Sequence, residues 1–308
     1  MIHVFIVNPY AGKKTFADDL RSRLADYSRT HRNFKYFVFN TRYRGYETEL
    51  TREICKCFEN EKLRIYCCGG SGTLRHAING VDDFEKREIA FYPCGLTNDF
   101  LKVFGDDEKK FRELENLIEG DVINIDYIKS NHGIALNTVS LGLDSLALKR
   151  FEEDYRFLSV FGKQVPYNLS LLYAAFAVKP QIYEVQYDEK IVSGWITQLL
   201  VGNGVMINGN LRIFKDADVT DGRLQIRYFL NWRRKRIPKA LSYMIAGQME
   251  EIDRLSTSAE CRRVIIRRED HAPFAVNFDG ELVPNIPECE IEVVTKGLQF
   301  VVPKGVVL

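Results

Sequence analysis

"YCCGGSGTLRHAING" (residues 66–80) leaves an apolar strand, crosses Gly69, Gly70 and Gly72, and enters a helix. Glycines at those places let backbone N–H groups converge on an anion, and the positive end of the following helix adds to the attraction. Glycine spacing alone is equally consistent with a phosphate cradle and with an ordinary glycine-rich turn between strand and helix. What decides the fold is the rhythm on either side. "HVFIV" (3–7), "FKYFVFN" (34–40), "RIYCCGG" (64–70) and "EIAFYPCG" (88–95) read as strands. Between them, "FADDLRSRLADYS", "YETELTREICKCFEN" and "TLRHAIN" read as helices, and "DEKKFRELENLIEG" (107–120) as one more, closed by Gly120. Alternation of this kind predicts a parallel sheet flanked by helices, with ligands at the carboxyl ends of its strands.

From about residue 126 the rhythm changes. "IDYIKSNHGIALNTVSLGLDS", "QIYEVQYDEKIVSGWITQLLVGNG", "RLQIRYFL", "RRVIIRRE", "FAVNFDGELV" and "CEIEVVTKGLQFVVP" read as strands joined by turns, which predicts an antiparallel β domain. Two interruptions, 151–178 and 232–247, read as helical.

Composition excludes more than it selects. The 308 residues suffice for two domains, and 45% hydrophobic with 28% charged residues is ordinary for a globular chain. A net charge of +1 gives no argument for a nucleic-acid partner. No apolar run is long enough for a membrane-spanning helix, and the N-terminus lacks the basic region of a signal peptide. Seven cysteines without framework spacing point to reduced thiols and a cytoplasmic setting. No Cys/His spacing resembles a zinc site.

Four further stretches carry groups able to do chemistry, each with a plainer reading beside it. "VNPYAGKK" (7–14) brings Asn8, Gly12, Lys13 and Lys14 to a strand end, as phosphate contacts or as a solvated basic loop. "YPCGLTNDF" (92–100) places Thr97, Asn98 and Asp99 after a turn, where all three are also good helix caps. "VNFDGEL" (276–282) carries Asp279 and Glu281. If the strand ran through them, both carboxylates would share one face and could hold a metal or accept a proton. Local pattern favours an Asp-Gly hairpin turn instead. "DADVTDG" (216–222) gathers Asp216, Asp218 and Asp221, hard oxygen ligands for Mg²⁺ or, on spacing alone, a solvated acidic turn.

No single stretch is specific, but their order is. "NPxxG", then "GGxGT" about 60 residues on, then "GxTNDF", then "DGE" near the C-terminus resembles the diacylglycerol kinase catalytic family, which includes bacterial lipid kinases and the sphingosine and ceramide kinases. The resemblance spans nearly the whole chain. It implies a nucleotide-binding α/β domain (1–125 with 298–308), similar to NAD kinase and phosphofructokinase, and a β-sandwich lipid-substrate domain (126–297). It implies ATP across Asn8, Gly69, Gly70, Gly72, Thr73 and Thr97, with Gly12, Asn98 and Asp99 in the adjoining loops. It also implies Asp279 as the base for a lipid hydroxyl with Glu281 beside it, and a structural Mg²⁺ near Asp218 and Asp221. NAD kinases share the glycine loop, but the first and last motifs favour the lipid family.

The departures bear on activity. The family loop "GGDGTxxEVxNG" reads here "GGSGTLRHAING": Ser71 replaces the loop aspartate, His76 replaces the glutamate, and Arg75 stands before it. Serine is a much poorer partner for Mg²⁺ than a carboxylate. The expectation is therefore twofold: a lipid kinase with an altered site, or a weakly catalytic relative that binds nucleotide or phospholipid. Aromatic and aliphatic residues at 157–178, and Trp232 beside the cations at 233–236, suit an anionic membrane surface. Their plainer readings are a buried core helix and a solvated basic turn. The expected partner is thus a lipid substrate at a membrane surface, with peripheral attachment and an oligomeric state left open, a homodimer included.

Overall fold

The computed structural model describes residues 1–12, 15–95, 98–155, 164–207, 211–214, 216–232 and 236–308, apart from the side chains of residues 164 and 245. Lys13, Lys14, Thr97 and the cations at 233–235 lie outside the described residues. The chain divides into two compact units, Met1–Asp126 with Thr295–Leu308, and Tyr127–Val294.

The first unit follows the expected alternation. Strand β1 (Ile2–Val7) is followed by helix α1 (Phe16–Thr30), β2 (Tyr36–Asn40), α2 (Tyr46–Cys57), β3 (Leu63–Gly69), α3 (Ser71–Ile78), β4 (Arg87–Pro93) and the short α4 (Leu114–Ile118). Strands β2, β1, β3 and β4 lie side by side, all parallel. Residues Gln299–Val301 add a further parallel strand beside β4. Strands β3 and β4 are buried along their whole length, and from Ile65 and Ile89 onward they are the apolar runs of a covered parallel sheet. At the start of β3, Arg64 donates to the Glu88 carboxylate (2.6 Å) and to two carbonyls, so the buried charge on β4 is paired. One expectation is corrected. The helix read over 107–120 is a tighter, 3₁₀-type segment, Asp99–Arg112, kinked at Gly105, followed by the short α4. Four phenylalanines at 100, 104, 111 and 300 cluster there, and this packing overrides the local helical pattern.

The second unit is a two-layer antiparallel sandwich. Its elements begin in β5 (Asp121–Ser130), which crosses from the first unit, and continue with β6 (Gly133–Ala135), β7 (Thr138–Gly142), α5 (Leu143–Arg150), α6 (Gln164–Ala177), β8 (Gln181–Tyr187) and β9 (Lys190–Gly202). They go on through β10 (Met206–Ile207), β11 (Leu211–Arg212), β12 (Leu224–Leu230), α7 (Ile237–Ile245), α8 (Met249–Leu255), β13 (Thr257–Cys261), β14 (Arg263–Arg268), β15 (Phe274–Phe278), β16 (Glu281–Ile286) and β17 (Glu288–Val302).

The long β9 serves both layers. Its first half pairs with β8, which continues to β14 and then to the start of β17. Its second half sits between β12 and β7, with β13, β15 and β16 at the edges. Val185, Leu199, Val201, Ile226, Val264, Val276 and Phe278 belong to the core between the layers. The outer face of the second layer carries Leu200 and Phe229 and is covered by α5, α6 and α7 through Ala147, Leu171, Ala174, Ala175, Ile237 and Leu241.

At the β9–β12 pairing the register slips: Phe229 faces Gln198 but Leu230 faces Ile196, so Thr197 is the extra residue of a bulge. The bulge reverses the alternation. Ile196 and Leu199 stay in the sandwich core, and Thr197 and Gln198 both border the helix-covered side.

Candidate functional site

In the first unit, three loops meet at the carboxyl ends of β1, β3 and β4. Asn8 N–H donates to Cys68 O (2.9 Å), and the Cys94 and Gly95 amides both donate to Gly69 O (2.9 and 3.0 Å). A Cβ on Gly95 would lie 2.5 Å from Gly70 Cα, and one on Gly69 would lie 2.2 Å from Thr73 Oγ1. Gly12, at φ +75°, brings the first loop onto Cys94, whose carbonyl would lie 2.8 Å from an added Cβ. Gly72 differs: an added Cβ would have nothing within 4 Å. Packing therefore demands glycine at 69 and 95, whereas at 72 the missing side chain leaves the backbone of α3's first turn open. That turn's N–H groups have no intrahelical acceptors, and Gly70 caps it without a side-chain bond. An anion fits this helix end. Asn98 follows the third loop, donates to Gly95 O (3.5 Å), and has a buried Oδ1 that meets no hydrogen-bond partner among the described residues.

The structure brings Asn8, Gly12, Gly69, Gly70, Ser71, Gly72 and Thr73 together, but gives Asn8 and Thr73 inward roles. Thr73 is buried. Its hydroxyl accepts from Asn8 Nδ2 (3.3 Å) and donates to Glu47 Oε1 (3.4 Å). Asn8 Oδ1 receives the Tyr10 N–H (3.0 Å). These side chains tie the loops to one another. Arg75 is buried on α3, and the His76 carbonyl accepts from Thr48. Asp99 opens the 3₁₀ segment, with Asn98 at its cap position making no capping side-chain bond.

Sequence reasoning missed Glu47. It is buried on α2, receives the Gly45 N–H (3.1 Å), and has its carboxyl raised by burial, an effect opposed by backbone donors and by the charge of His76. A glutamate among apolar α2 positions facing a glycine loop was the available signal. The thiol beside the loops is no nucleophile: burial pushes Cys94 up to about 12. All seven cysteines are free thiols.

In the second unit, Asp279 and Gly280 form the two-residue turn between β15 and β16, at φ +49° and +87°. Both central residues at positive φ match the hairpin type that Asp-Gly favours. The alternative of a strand running through 279–281 is thereby corrected, and the two carboxylates do not share a strand face. The Asp279 carboxylate instead receives three backbone N–H groups: Leu136 (2.7 Å), Asn137 (3.0 Å) and Thr138 (2.7 Å). Such donors fix its direction. Glu281 opens β16 opposite Phe278.

The same unit holds a small apolar cavity, of about 30 Å³, between the outer sheet face and helices α5 to α7. Leu171, Leu200, Phe229, Trp232, Leu241 and Met244 line most of it, and Asp144, Thr197 and Gln198 supply its polar border. The Thr197 hydroxyl is buried and has no partner among the described residues. Trp232 turns inward: its indole N–H donates to Leu255 O (2.9 Å) and its ring packs edge-on against Phe229. The expectation of Trp232 as a membrane-surface residue is thereby corrected. Pro166 lies in the first turn of α6, where its missing N–H costs no bond.

Asp218 and Asp221, expected near a structural Mg²⁺, each take a local role. Asp218 Oδ1 accepts from the Thr220 amide and hydroxyl, and Asp221 Oδ1 from the Arg223 amide, so each closes its own turn. Among the described residues, no three His, Cys, Asp or Glu side chains group in a way that could hold a metal.

Comparison with known proteins agrees with this architecture. Residues 3–130 match the model of the diacylglycerol kinase catalytic domain, and residues 137–302 that of the YegS C-terminal NAD kinase beta sandwich-like domain. The chain belongs to this family of two-domain lipid kinases, whose kinase character implies the use of ATP. A Staphylococcus aureus (strain Mu3) protein named "Putative lipid kinase" is 26% identical over 243 residues, covering 77% of this chain and 76% of its own. A protein of the same name from strain Newman matches to the same extent. Two crystal structures from Bacillus anthracis str. Sterne share the fold. One, described as a "putative diacylglycerol kinase", has a TM-score of 0.73 at 22% identity, covering 99% of this chain and 96% of that one. The other, described as diacylglycerol kinase, has 0.72 at 21%, covering 99% and 98%.

Proposed function

We propose that the chain transfers the γ-phosphoryl group of Mg·ATP to the hydroxyl of a diacylglycerol-like lipid. The apolar cavity of the second unit carries this reading over that of a soluble-substrate kinase. The lining of Leu171, Leu200, Phe229, Trp232 and Leu241 matches an acyl chain in chemistry, the helices having to part to admit one, and has little to offer a dinucleotide such as NAD. In the reaction, the lipid oxygen bonds to the γ-phosphorus, the bond from that phosphorus to the ADP oxygen breaks, and the hydroxyl proton passes to Asp279. Asp279 suits the role because three backbone N–H groups fix the direction of its carboxylate. The glycine loop contributes N–H groups toward the phosphates, and phosphoryl transfer depends mostly on such positioning and charge neutralisation. Mg²⁺ arrives with the nucleotide. No step is assigned to a structural metal.

A second reading, a weakly catalytic relative that binds nucleotide or phospholipid, draws support from Ser71 in place of the loop aspartate.

Peripheral contact with a membrane is part of the proposal. Helix α6 buries Ser170, Leu171, Ala174 and Ala175, yet exposes Val165, Leu169, Leu172, Tyr173 and Phe176 along its opposite side. It is thus more than the buried core helix of the plainer reading, and no helix among the described residues is long and apolar enough to cross a bilayer. The deciding assay is transfer of labelled phosphate from ATP to diacylglycerol, monoacylglycerol, sphingosine and ceramide in mixed micelles, with NAD alongside. Label in a lipid that disappears in Asp279→Asn supports the kinase reading. Label in NAD alone overturns it, and none anywhere favours the binding protein.

A further inference from the structure

The Asp279 turn is fastened from two sides, and only one of them is the set of amides at 136–138. The other begins at Asp144, buried at the second position of α5. Its Oδ2 accepts from Ser140 Oγ (2.6 Å) and from Asn277 Nδ2 (2.6 Å), and its Oδ1 accepts from Tyr167 OH on α6 (2.9 Å). Its own backbone N–H donates to Gln198 Oε1 (2.9 Å). Ser140 and Asn277 face each other across the β7–β15 pairing, so one carboxylate clamps both strands. Asn277 passes the constraint on. With its NH₂ committed to Asp144, its Oδ1 is turned toward the hairpin, where it accepts the Gly280 N–H (2.8 Å). The amide has one donor end and one acceptor end, so the side that faces Asp144 fixes the side that faces the turn. Asp144 also borders the apolar cavity. One residue thus touches the cavity wall, the helix covering it, and the strand that presents Asp279.

We infer that Asp144 is a positioning residue: through Asn277 and Gly280 it holds the Asp279 turn, and so sets the direction of that carboxylate. The inference rests on the reading of Asp279 as the base. Phosphate-transfer kinetics and amide exchange together test it, on the full chain, in Asp144→Ala, Asn277→Asp and the exchanged pair Asp144→Asn with Asn277→Asp. Asn277→Asp sets two carboxylates against each other and loses the donor. The exchanged pair restores a donor at 144 and an acceptor at 277 that still receives Gly280 N–H. Each single variant is expected to lower kcat for the lipid about tenfold or more, the scale on which lost supporting hydrogen bonds act, with KM for ATP within about twofold. The exchanged pair is expected to recover to within about threefold of wild type. Exchange at residues 278–281 should speed up in the single variants and slow again in the pair. Recovery overturns any purely structural account of the singles. A pair no better than Asn277→Asp, or singles with unchanged exchange at 278–281, overturns the inference. If wild type phosphorylates no lipid, the functional reading fails instead, and the exchange measurements alone decide whether Asp144 holds the turn.

Discussion

A Cβ on Gly95 would lie 2.5 Å from Gly70 Cα, so the loop after β4 rests directly on the backbone of the glycine loop. Gly95→Ala must push the two loops apart, and both melting temperature and ATP affinity should fall. Gly72→Ala is the contrasting variant. It meets nothing within 4 Å, and alanine in a helix gains about 0.5–1 kcal/mol over glycine. Its melting temperature should hold or rise while its ATP affinity drops, because the new methyl group occupies the open face of the first turn. Scanning calorimetry and nucleotide titration report the two quantities separately. Wild-type ATP affinity in Gly72→Ala rules out a phosphate contact at this turn.

Ser71→Asp restores a carboxylate at the first residue of α3. It should raise lipid phosphorylation about tenfold or more, since outer partners of a metal are worth about 10–100-fold. The rate at saturating Mg·ATP is the measurement. An unchanged rate in folded protein shows that the missing loop carboxylate does not limit turnover.

Asp279→Asn keeps the size of the side chain but sets an NH₂ against one or more of three backbone donors. Stability should fall by about 1–3 kcal/mol, the cost of leaving buried donors unsatisfied. Phosphate transfer should be lost at temperatures where the variant stays folded. Urea titration beside the micelle assay checks both, and retained transfer would remove Asp279 from the chemistry.

Thr197 stands at the β9 bulge, 1% exposed, and its buried hydroxyl has no partner among the described residues. Thr197→Val removes that unsatisfied group and should stabilise the unliganded protein by about 1 kcal/mol. If the hydroxyl meets a polar group of the lipid, the variant should also favour substrates lacking that group. A drop in stability would mean that the hydroxyl is satisfied in solution.

Stability should also depend on pH through His3. Burial first, then the charge of Arg64, lowers its pKa from 6.5 to about 4. The unfolded chain takes up the proton more readily than the folded one. Stability is therefore complete above about pH 6.5 and declines as pH falls, until the contribution is gone by about pH 4. The total is about 2–3 kcal/mol, allowing for partial exposure of the ring. In denaturant titrations, His3→Phe should flatten this slope, and a slope that survives the substitution assigns it to other groups.

The alternating first unit, the change to antiparallel strands near residue 126 and the three loops at the strand ends are all legible in the sequence. Each of these is written in neighbouring residues: apolar period, glycine spacing, Asn-Pro and Asp-Gly punctuation. Even the hairpin at 279–280 was legible from its two residues. Only the tertiary structure decided what the polar groups do. The donors to Asp279 come from residues 136–138. Asp144 meets Asn277 across 133 positions of chain. Thr73, in the phosphate motif, is turned inward by Asn8 and Glu47. Trp232 faces a cavity that a bulge one strand away helps to shape. Local pattern reports which face of an element is buried. Which buried polar atoms meet depends on strand pairing between distant segments, and no window of neighbouring residues contains that information.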